Sequence, residues 1–178
     1  MQKLAANILR LFTLTCGYVF FCCLIANAQV YKAPVNYKMS AKADYQRYEA
    51  DVIRTVDWLQ ATPWTEQPLL RRQATDFLFK WIQDTPTITV EVMPALMNLT
   101  DKNNKLMAIF MGAYAKYAIE HPTYNKDEAN MAAAKALVAK YKAEPTHKKD
   151  YDVEQLIKLE KDDQLLYWVR NEYERTDK

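Results

Sequence analysis

The chain has 178 residues, of which 24 are basic, 22 are acidic and 2 are histidine, so its formal charge near neutral pH is +2. Half of the residues are hydrophobic, two are glycine and one is serine. A chain of this length can form one domain whose core needs no disulfide. The small net charge argues against nucleic acid or an anionic membrane as the main partner, because both attract basic patches.

The first 28 residues have the layout of a secretory signal peptide. Lys3 and Arg10 give a positively charged start, residues 11–25 form an uncharged apolar run, and residues 26–28 (Ala-Asn-Ala) supply a small-x-small cleavage motif. An uncleaved anchor helix is the alternative, although the run is short for one. We therefore expect an exported protein, periplasmic or secreted, with no membrane span after cleavage of the leader.

All three cysteines lie in this leader, which also holds two basic residues and no acid. Residues 29–178 therefore have no cysteine and 22 residues of each charge sign. An export signal without disulfides indicates a bacterial envelope or secreted protein. The Ala-Asn-Ala ending before Gln29 and the glycine-poor, aromatic-rich body resemble uncharacterised small secreted helical proteins of Bacteroidetes type. This resemblance implies no activity and no site residues.

The remainder of the chain divides into an arm and a helical domain. Residues 29–40 contain Pro34 and no hydrophobic period, which predicts an extended N-terminal arm. Residues 41–178 carry repeated helical spacings and predict one all-helical domain. We expect an all-α fold, a single bundle of five or six helices around a central buried helix, with room for one short extended segment.

Two amphipathic helices are predicted at the start of this domain, over 41–61 and 68–83, because apolar residues recur there every three or four positions. Both end at a Thr-Pro pair, since the residue before proline disfavours helical geometry. The two ends are alike in sequence: residues 58–63 are Trp-Leu-Gln-Ala-Thr-Pro, and residues 81–86 are Trp-Ile-Gln-Asp-Thr-Pro. Upstream of the tryptophans the likeness is lost, which argues against a repeat array.

The segment 87–92, TITVEV, alternates polar and apolar residues and by itself resembles a strand. No clear partner strand exists in the chain, and a lone strand leaves its backbone groups unpaired. Three interpretations stay open. The segment is extended and packs over the helices, or it begins a helix that runs into 94–99, or it is an edge that pairs with another chain.

The central helix is predicted over 102–121, around the stretch 106–119, LMAIFMGAYAKYAI. This stretch is apolar almost all round, and it is shorter than the roughly 20 residues that a bilayer requires. Its glycine predicts the closest approach of another helix, which we expect to be the alanine-rich helix over 126–143. A linker at 144–150 and one or two charged helices follow. The residues expected to pack in the core are Leu106, Ile109, Phe110, Gly112, Ala113 and Tyr117.

Few residues after the leader suit a catalytic mechanism. The absence of cysteine excludes thiol chemistry, the single serine argues against a serine–histidine triad, and neither histidine has the spacing of a metal ligand. We therefore expect no metal and no cofactor. Carboxylate pairs stay open, because a glycosidase needs only two acids, and Asp57 and Asp76 lie near the ends of the first two helices. On amphipathic helices such acids usually form a solvated face.

Aromatic residues are the most plausible binding groups, since their rings are rigid and tyrosine hydroxyls can pair with a partner. The alternative is that these rings fill the core of the bundle. One hypothesis places the three tryptophans of the first two helices and their connection together at one end of the bundle. The candidate binding residues are Trp58, Trp64, Trp81, Tyr31, Tyr37 and Tyr124.

The sequence favours an exported, non-catalytic protein that binds another protein or a small ligand in the bacterial envelope. It leaves open whether the protein is an enzyme. One alternative is a small helical hydrolase that uses paired carboxylates. The other is an inhibitor or immunity-type protein that blocks a toxin or hydrolase.

Overall fold

A computed structural model describes residues 30–174; the predicted signal peptide and residues 175–178 lie outside the described residues. The compact unit that holds the helices begins at Lys32. Between residues 30 and 174 the structure has eight α-helices and no strand, which confirms the predicted all-α bundle. None of these helices is long and apolar enough to cross a membrane.

Five of the helices have eleven residues or more, and three are shorter. The described chain therefore contains more helices than the five or six expected. A π-helical turn, Val169–Tyr173, continues the last helix. In chain order the helices are α1 (Lys42–Arg47), α2 (Glu49–Ala61), α3 (Pro68–Asp84), α4 (Pro94–Thr100), α5 (Lys105–Glu120), α6 (Lys126–Ala143), α7 (Tyr151–Lys161) and α8 (Leu165–Trp168).

The helix predicted over 41–61 is divided into α1 and α2 by Tyr48. The start of α1 is capped by Asp44, whose Oδ2 accepts hydrogen bonds from the backbone N–H groups of Ser40 and Ala41 at 3.1 Å. These two hydrogen bonds lower the pKa of Asp44. In front of α1, the arm lays the Tyr37 ring edge-on against Phe77 of α3, with ring centroids 5.3 Å apart.

Helix α5 is central: it packs against α2, α3, α4 and α6, and α6 is its most extensive neighbour. Of the residues expected in its core face, Leu106, Ile109, Phe110 and Gly112 are buried. The other two, Ala113 and Tyr117, are only half-buried, which corrects the predicted face. Tyr117 lies at an exposed edge of the contact with α6, where its hydroxyl donates to the Glu128 carboxylate, and the buried positions beside it are Tyr114, Ala115 and Ala118.

Gly112 faces α2 and α3 and not the alanine-rich α6, so the predicted neighbour of this glycine is wrong. A Cβ atom at this position would lie 2.9 Å from Val56 Cγ2 and 3.0 Å from Leu78 Cδ2. The reason is geometric: α6 lies on another face of α5, which helical periodicity identifies as apolar without naming its neighbour.

We predict that Gly112→Leu lowers the free energy of unfolding by about 1–3 kcal/mol, because extra side-chain atoms would overpack the contact with α2. Chemical denaturation would measure this change. Removing methyl groups from the opposing helix should partly restore stability, so that Val56→Ala and Gly112→Leu together cost less than the sum of the single variants. Strict additivity would contradict the contact. Ala113→Leu, on the half-buried side, is the control.

The segment before α4 is extended and has no strand partner within the described chain, which agrees with the first of the three interpretations. Within the segment the Ile88 side chain is buried, and α4 begins at Pro94. Two contacts hold the far end of the segment at Glu91. Its carbonyl accepts a hydrogen bond from the Tyr173 hydroxyl at 2.9 Å, and its carboxylate pairs with Lys126 at 2.7 Å.

Two buried tyrosines lie where the C-terminal turn meets α5. Burial raises the pKa of Tyr114 and of Tyr173 above their ordinary value of 10.0. As the pH rises past 10, the unfolded chain therefore loses these phenol protons before the folded chain does. The folded state then binds more protons, so the free energy of unfolding falls with rising pH.

We predict that Tyr173→Phe costs about 1 kcal/mol at neutral pH, through loss of the hydrogen bond to the Glu91 carbonyl. The same substitution should make the fall in stability above pH 10 shallower. Denaturant titrations at several pH values would show this, with the exposed Tyr167→Phe as the control. An identical alkaline slope in the wild-type protein and in Tyr173→Phe would contradict the prediction.

Candidate functional site

The connection between α2 and α3 is held by two buried cations. The chain leaves the helical path at Pro63, so the Thr62 carbonyl at the end of α2 has no partner within the helix. The Pro63 carbonyl accepts the backbone N–H of Glu66 at 3.1 Å and can accept a second hydrogen bond. Arg71 Nη2 donates to these two oxygens at 2.8 and 2.7 Å. Lys140 Nζ, from α6, donates to the Thr62 oxygen at 2.7 Å. One carbonyl oxygen therefore joins three helices.

A single buried acid accompanies these cations. Glu144 Oε2 accepts the backbone N–H of Trp64 at 2.6 Å and lies 3.9 Å from Lys140 Nζ. The exposed fractions of Arg71, Lys140 and Glu144 are only 7%, 2% and 2%. We call these three residues the buried charge network. It contains two cations and one anion, so its buried side chains carry an excess of one positive charge, and the exposed Glu66 acts on Arg71 from outside the network.

The network shifts the ionisation of its own cations. Burial lowers the pKa of Arg71 and of Lys140, because desolvation disfavours the charged form. The nearby Glu144 carboxylate acts in the opposite direction on both residues, and Arg71 lowers the pKa of Lys140 further. An additional negative charge near Arg71 would stabilise both protonated cations.

Two buried N–H groups in this region have no hydrogen-bond partner in the described structure. One is Nε of Arg71, a member of the network, and the other is Nε1 of the adjacent Trp64. Buried polar groups without partners are rare in folded proteins, and each costs about 1–3 kcal/mol. Lys105 Nζ lies 5.5 Å from the centre of the Trp64 ring and 3.4 Å from the Trp64 carbonyl oxygen. The Arg71 guanidinium lies 5.4 Å from the centre of the Trp58 ring.

These groups border a pocket of about 430 Å³ at the first turns of α3 and α5. We call it the cationic pocket, because three basic side chains and one acidic side chain line it. The acid, Asp76, lies 3.9 Å from Arg72 Nε on the same helix. The complete lining is Leu59, Trp64, Pro68, Arg71, Arg72, Thr75, Asp76, Phe79, Asn104, Lys105, Ala108 and Ile109.

A second cavity, of about 570 Å³, continues between α3, α5 and the extended segment before α4. We call it the apolar groove. Phe79 lines both cavities, so the groove adjoins the cationic pocket. The other lining residues are Ile82, Gln83, Thr85, Ile88, Thr89, Val90, Val92, Met107 and Met111.

The three tryptophans do not form one cluster, which corrects the hypothesis drawn from the repeated helix ends. Trp58 and Trp64 both lie near Arg71, at the start of α3. Trp81 is fully buried near the other end of α3, and its Nε1 donates to the Tyr45 carbonyl at 3.0 Å. Because α2 and α3 are antiparallel, their similar C-terminal ends lie at opposite ends of the pair.

The candidate tyrosines lie apart from both cavities. Tyr37 packs on Phe77, as described above, and Tyr124 packs edge-on against Tyr114 with ring centroids 6.0 Å apart. Tyr31 is half-buried. None of the three lines the cationic pocket or the apolar groove.

The two candidate acids also do not converge. Asp57 forms an ion pair with Lys116 of α5, whereas Asp76 lines the cationic pocket beside Arg72. They share neither a cavity nor a basic partner. Among residues 30–174, no group of three or more histidine, cysteine, aspartate or glutamate side chains is placed to hold a metal ion.

The sequence does not reveal the buried charge network. Charged residues on amphipathic helices are normally exposed, but the guanidinium of Arg71 turns back to the end of α2 and is buried. The Thr-Pro stop at 62–63 is the one signal available, since it implies free carbonyl groups that need donors. That signal does not identify which of the many basic residues supply them.

No protein family, no characterised protein and no solved structure matches this chain in sequence or fold comparisons.

We predict that Glu144→Gln lowers the free energy of unfolding by about 3 kcal/mol, because it leaves two buried cations without an anion. Lys140→Met should cost less, about 1 kcal/mol, since it removes a hydrogen bond together with the uncompensated charge. Urea denaturation of the purified variants would measure both values. Glu160→Gln, which breaks a surface pair with Lys142, is the matched control. Equal losses for Glu144→Gln and Glu160→Gln would contradict the account.

Proposed function

We propose that the protein is an exported, non-catalytic binding protein and that it binds a small anionic ligand in the cationic pocket. One observation carries the proposal: Trp64 Nε1 and Arg71 Nε are buried donors without partners, and both residues line the pocket. Both donors are covered in the described structure, so a small movement of the Trp64 and Arg71 side chains has to accompany binding. An acceptor oxygen of the ligand would then remove the cost of leaving these donors unpaired.

The charge around the pocket favours an anion over a neutral acceptor. Arg71, Arg72 and Lys105 line it, and Asp76 is the single acid in the lining. The pocket also lies at the first turns of α3 and α5, where helix dipoles favour negative charge. Arginine binds a carboxylate through two parallel hydrogen bonds, and Arg72 can supply such a pair. Arg71 can add one further hydrogen bond through Nε, because its Nη2 already donates to the Thr62 and Pro63 carbonyl oxygens.

Export supports a role in the envelope or outside the cell. The proposal rests here on the leader predicted over residues 1–28, with its basic start, apolar run and Ala-Asn-Ala motif. A two-carboxylate hydrolase has less support than binding, because Asp57 and Asp76 lie in different environments.

We predict that the purified protein binds benzoate and that the binding changes tryptophan fluorescence, because Trp64 lines the pocket. Lys105→Gln and Arg72→Gln should each weaken the binding about tenfold, which corresponds to about 1.4 kcal/mol for one charge-assisted contact. Calorimetric titration gives the dissociation constants. Lys135→Gln, an exposed lysine on α6, is the control and should have no effect. Equal binding of benzylamine, or an unchanged affinity in both variants, would contradict the proposal.

A further inference from the structure

We infer that the ligand is a single-chain anionic amphiphile, with its carboxylate in the cationic pocket and its unbranched apolar tail in the apolar groove. The inference rests on the proposed function, because it adds a tail to the anionic head already placed in that pocket. It concerns the free monomer of such an acid and not a membrane surface.

The two cavities are arranged in series along the same pair of helices. Arg72 and Lys105 line the pocket, Phe79 lines both cavities, and Ile82 and Met111 line the groove. Helices α3 and α5 therefore run in the same direction, and both of their positive N-terminal ends lie at the pocket. A ligand that extends from the pocket past Phe79 passes from a charged environment to an apolar one.

The groove has the composition that a hydrocarbon chain requires. Its lining is mostly isoleucine, valine, phenylalanine and methionine, with threonine and glutamine as the polar members. Met107 and Met111 are half-buried, and methionine adapts its shape to flexible ligands. The two cavities, at about 570 and 430 Å³, each fall within the size range of small-molecule sites.

This groove also explains why α5 is apolar around most of its circumference. One face packs on α2 at Gly112, and another is covered by α6. The face with Met107 and Met111 borders the groove instead. A helix facing water there would carry polar residues, so an apolar occupant accounts for the sequence of this face.

The experiment is a calorimetric titration of the purified protein with butanoate, octanoate and decanoate below their micelle concentrations. Affinity should rise about fourfold for each added methylene, because each buried methylene adds a roughly constant transfer free energy. Met111→Gln and Met107→Gln should flatten this rise and leave the butanoate affinity within about twofold of wild type. Two variants are used so that the titration can still be made if one of them is unstable. Thermal unfolding measures the stability of both.

Two controls separate the head from the tail. Met97→Gln replaces an exposed methionine on α4, outside the groove, and should leave the chain-length series unchanged. Lys105→Gln should weaken all three acids by the same factor. Decylammonium, which has the same tail and the opposite charge, should bind at least tenfold more weakly than decanoate.

Equal affinities for butanoate and decanoate, together with weaker binding of both by Lys105→Gln, would contradict a tail site in the apolar groove. The same result would still support an anion site in the cationic pocket. If neither Lys105→Gln nor Arg72→Gln changed the affinity for any of the three acids, the proposed function would be overturned, and the tail site with it. Binding to phosphatidylglycerol vesicles without binding of free decanoate would also overturn the inference.

Discussion

The Thr62 carbonyl oxygen accepts hydrogen bonds from two buried cations, and the arrangement of the candidate site depends on this contact. Arg71 brings the start of α3 to the end of α2, and Lys140 brings α6 to the same point. Glu144 then fixes the backbone of Trp64. Contacts from Arg71, Lys140 and Glu144 therefore fix the loop between α2 and α3. As a result, the Trp64 indole has a fixed position in the lining of the cationic pocket.

The same contact produces the electrostatic character of the pocket. Two buried cations donate to the carbonyl groups at the end of α2, whereas Glu144 is the single acid buried beside them. Burial of an uncompensated charge is costly in a low-dielectric interior. Arg71 lines the pocket and keeps one buried N–H group unpaired, and Lys105 adds a further charge from α5. An anion in the pocket would balance this excess and pair the free donors.

Local sequence signals predicted the helices better than their contacts. Helix α6 occupies Lys126–Ala143, as predicted, because the Asn125 side chain accepts the N–H of Glu128 and an uninterrupted run of helix formers follows. The prediction of which helix packs on Gly112 was wrong, since hydrophobic periodicity defines an apolar face without identifying the helix that packs on it. The buried charge network joins residues that are distant in sequence. An arginine on an amphipathic helix is normally exposed to solvent, so the sequence does not indicate that Arg71 is buried.

The most direct test of this account is the NMR signal of the Trp64 indole N–H, assigned with a Trp64→Phe variant, during a titration with octanoate. Trp64 Nε1 has no partner in the described structure, whereas Trp81 Nε1 already donates to the Tyr45 carbonyl. The account predicts a downfield shift of the Trp64 signal as a carboxylate oxygen accepts this hydrogen bond, while the Trp81 signal stays in place. A Trp64 signal that does not move at saturating octanoate would contradict the account.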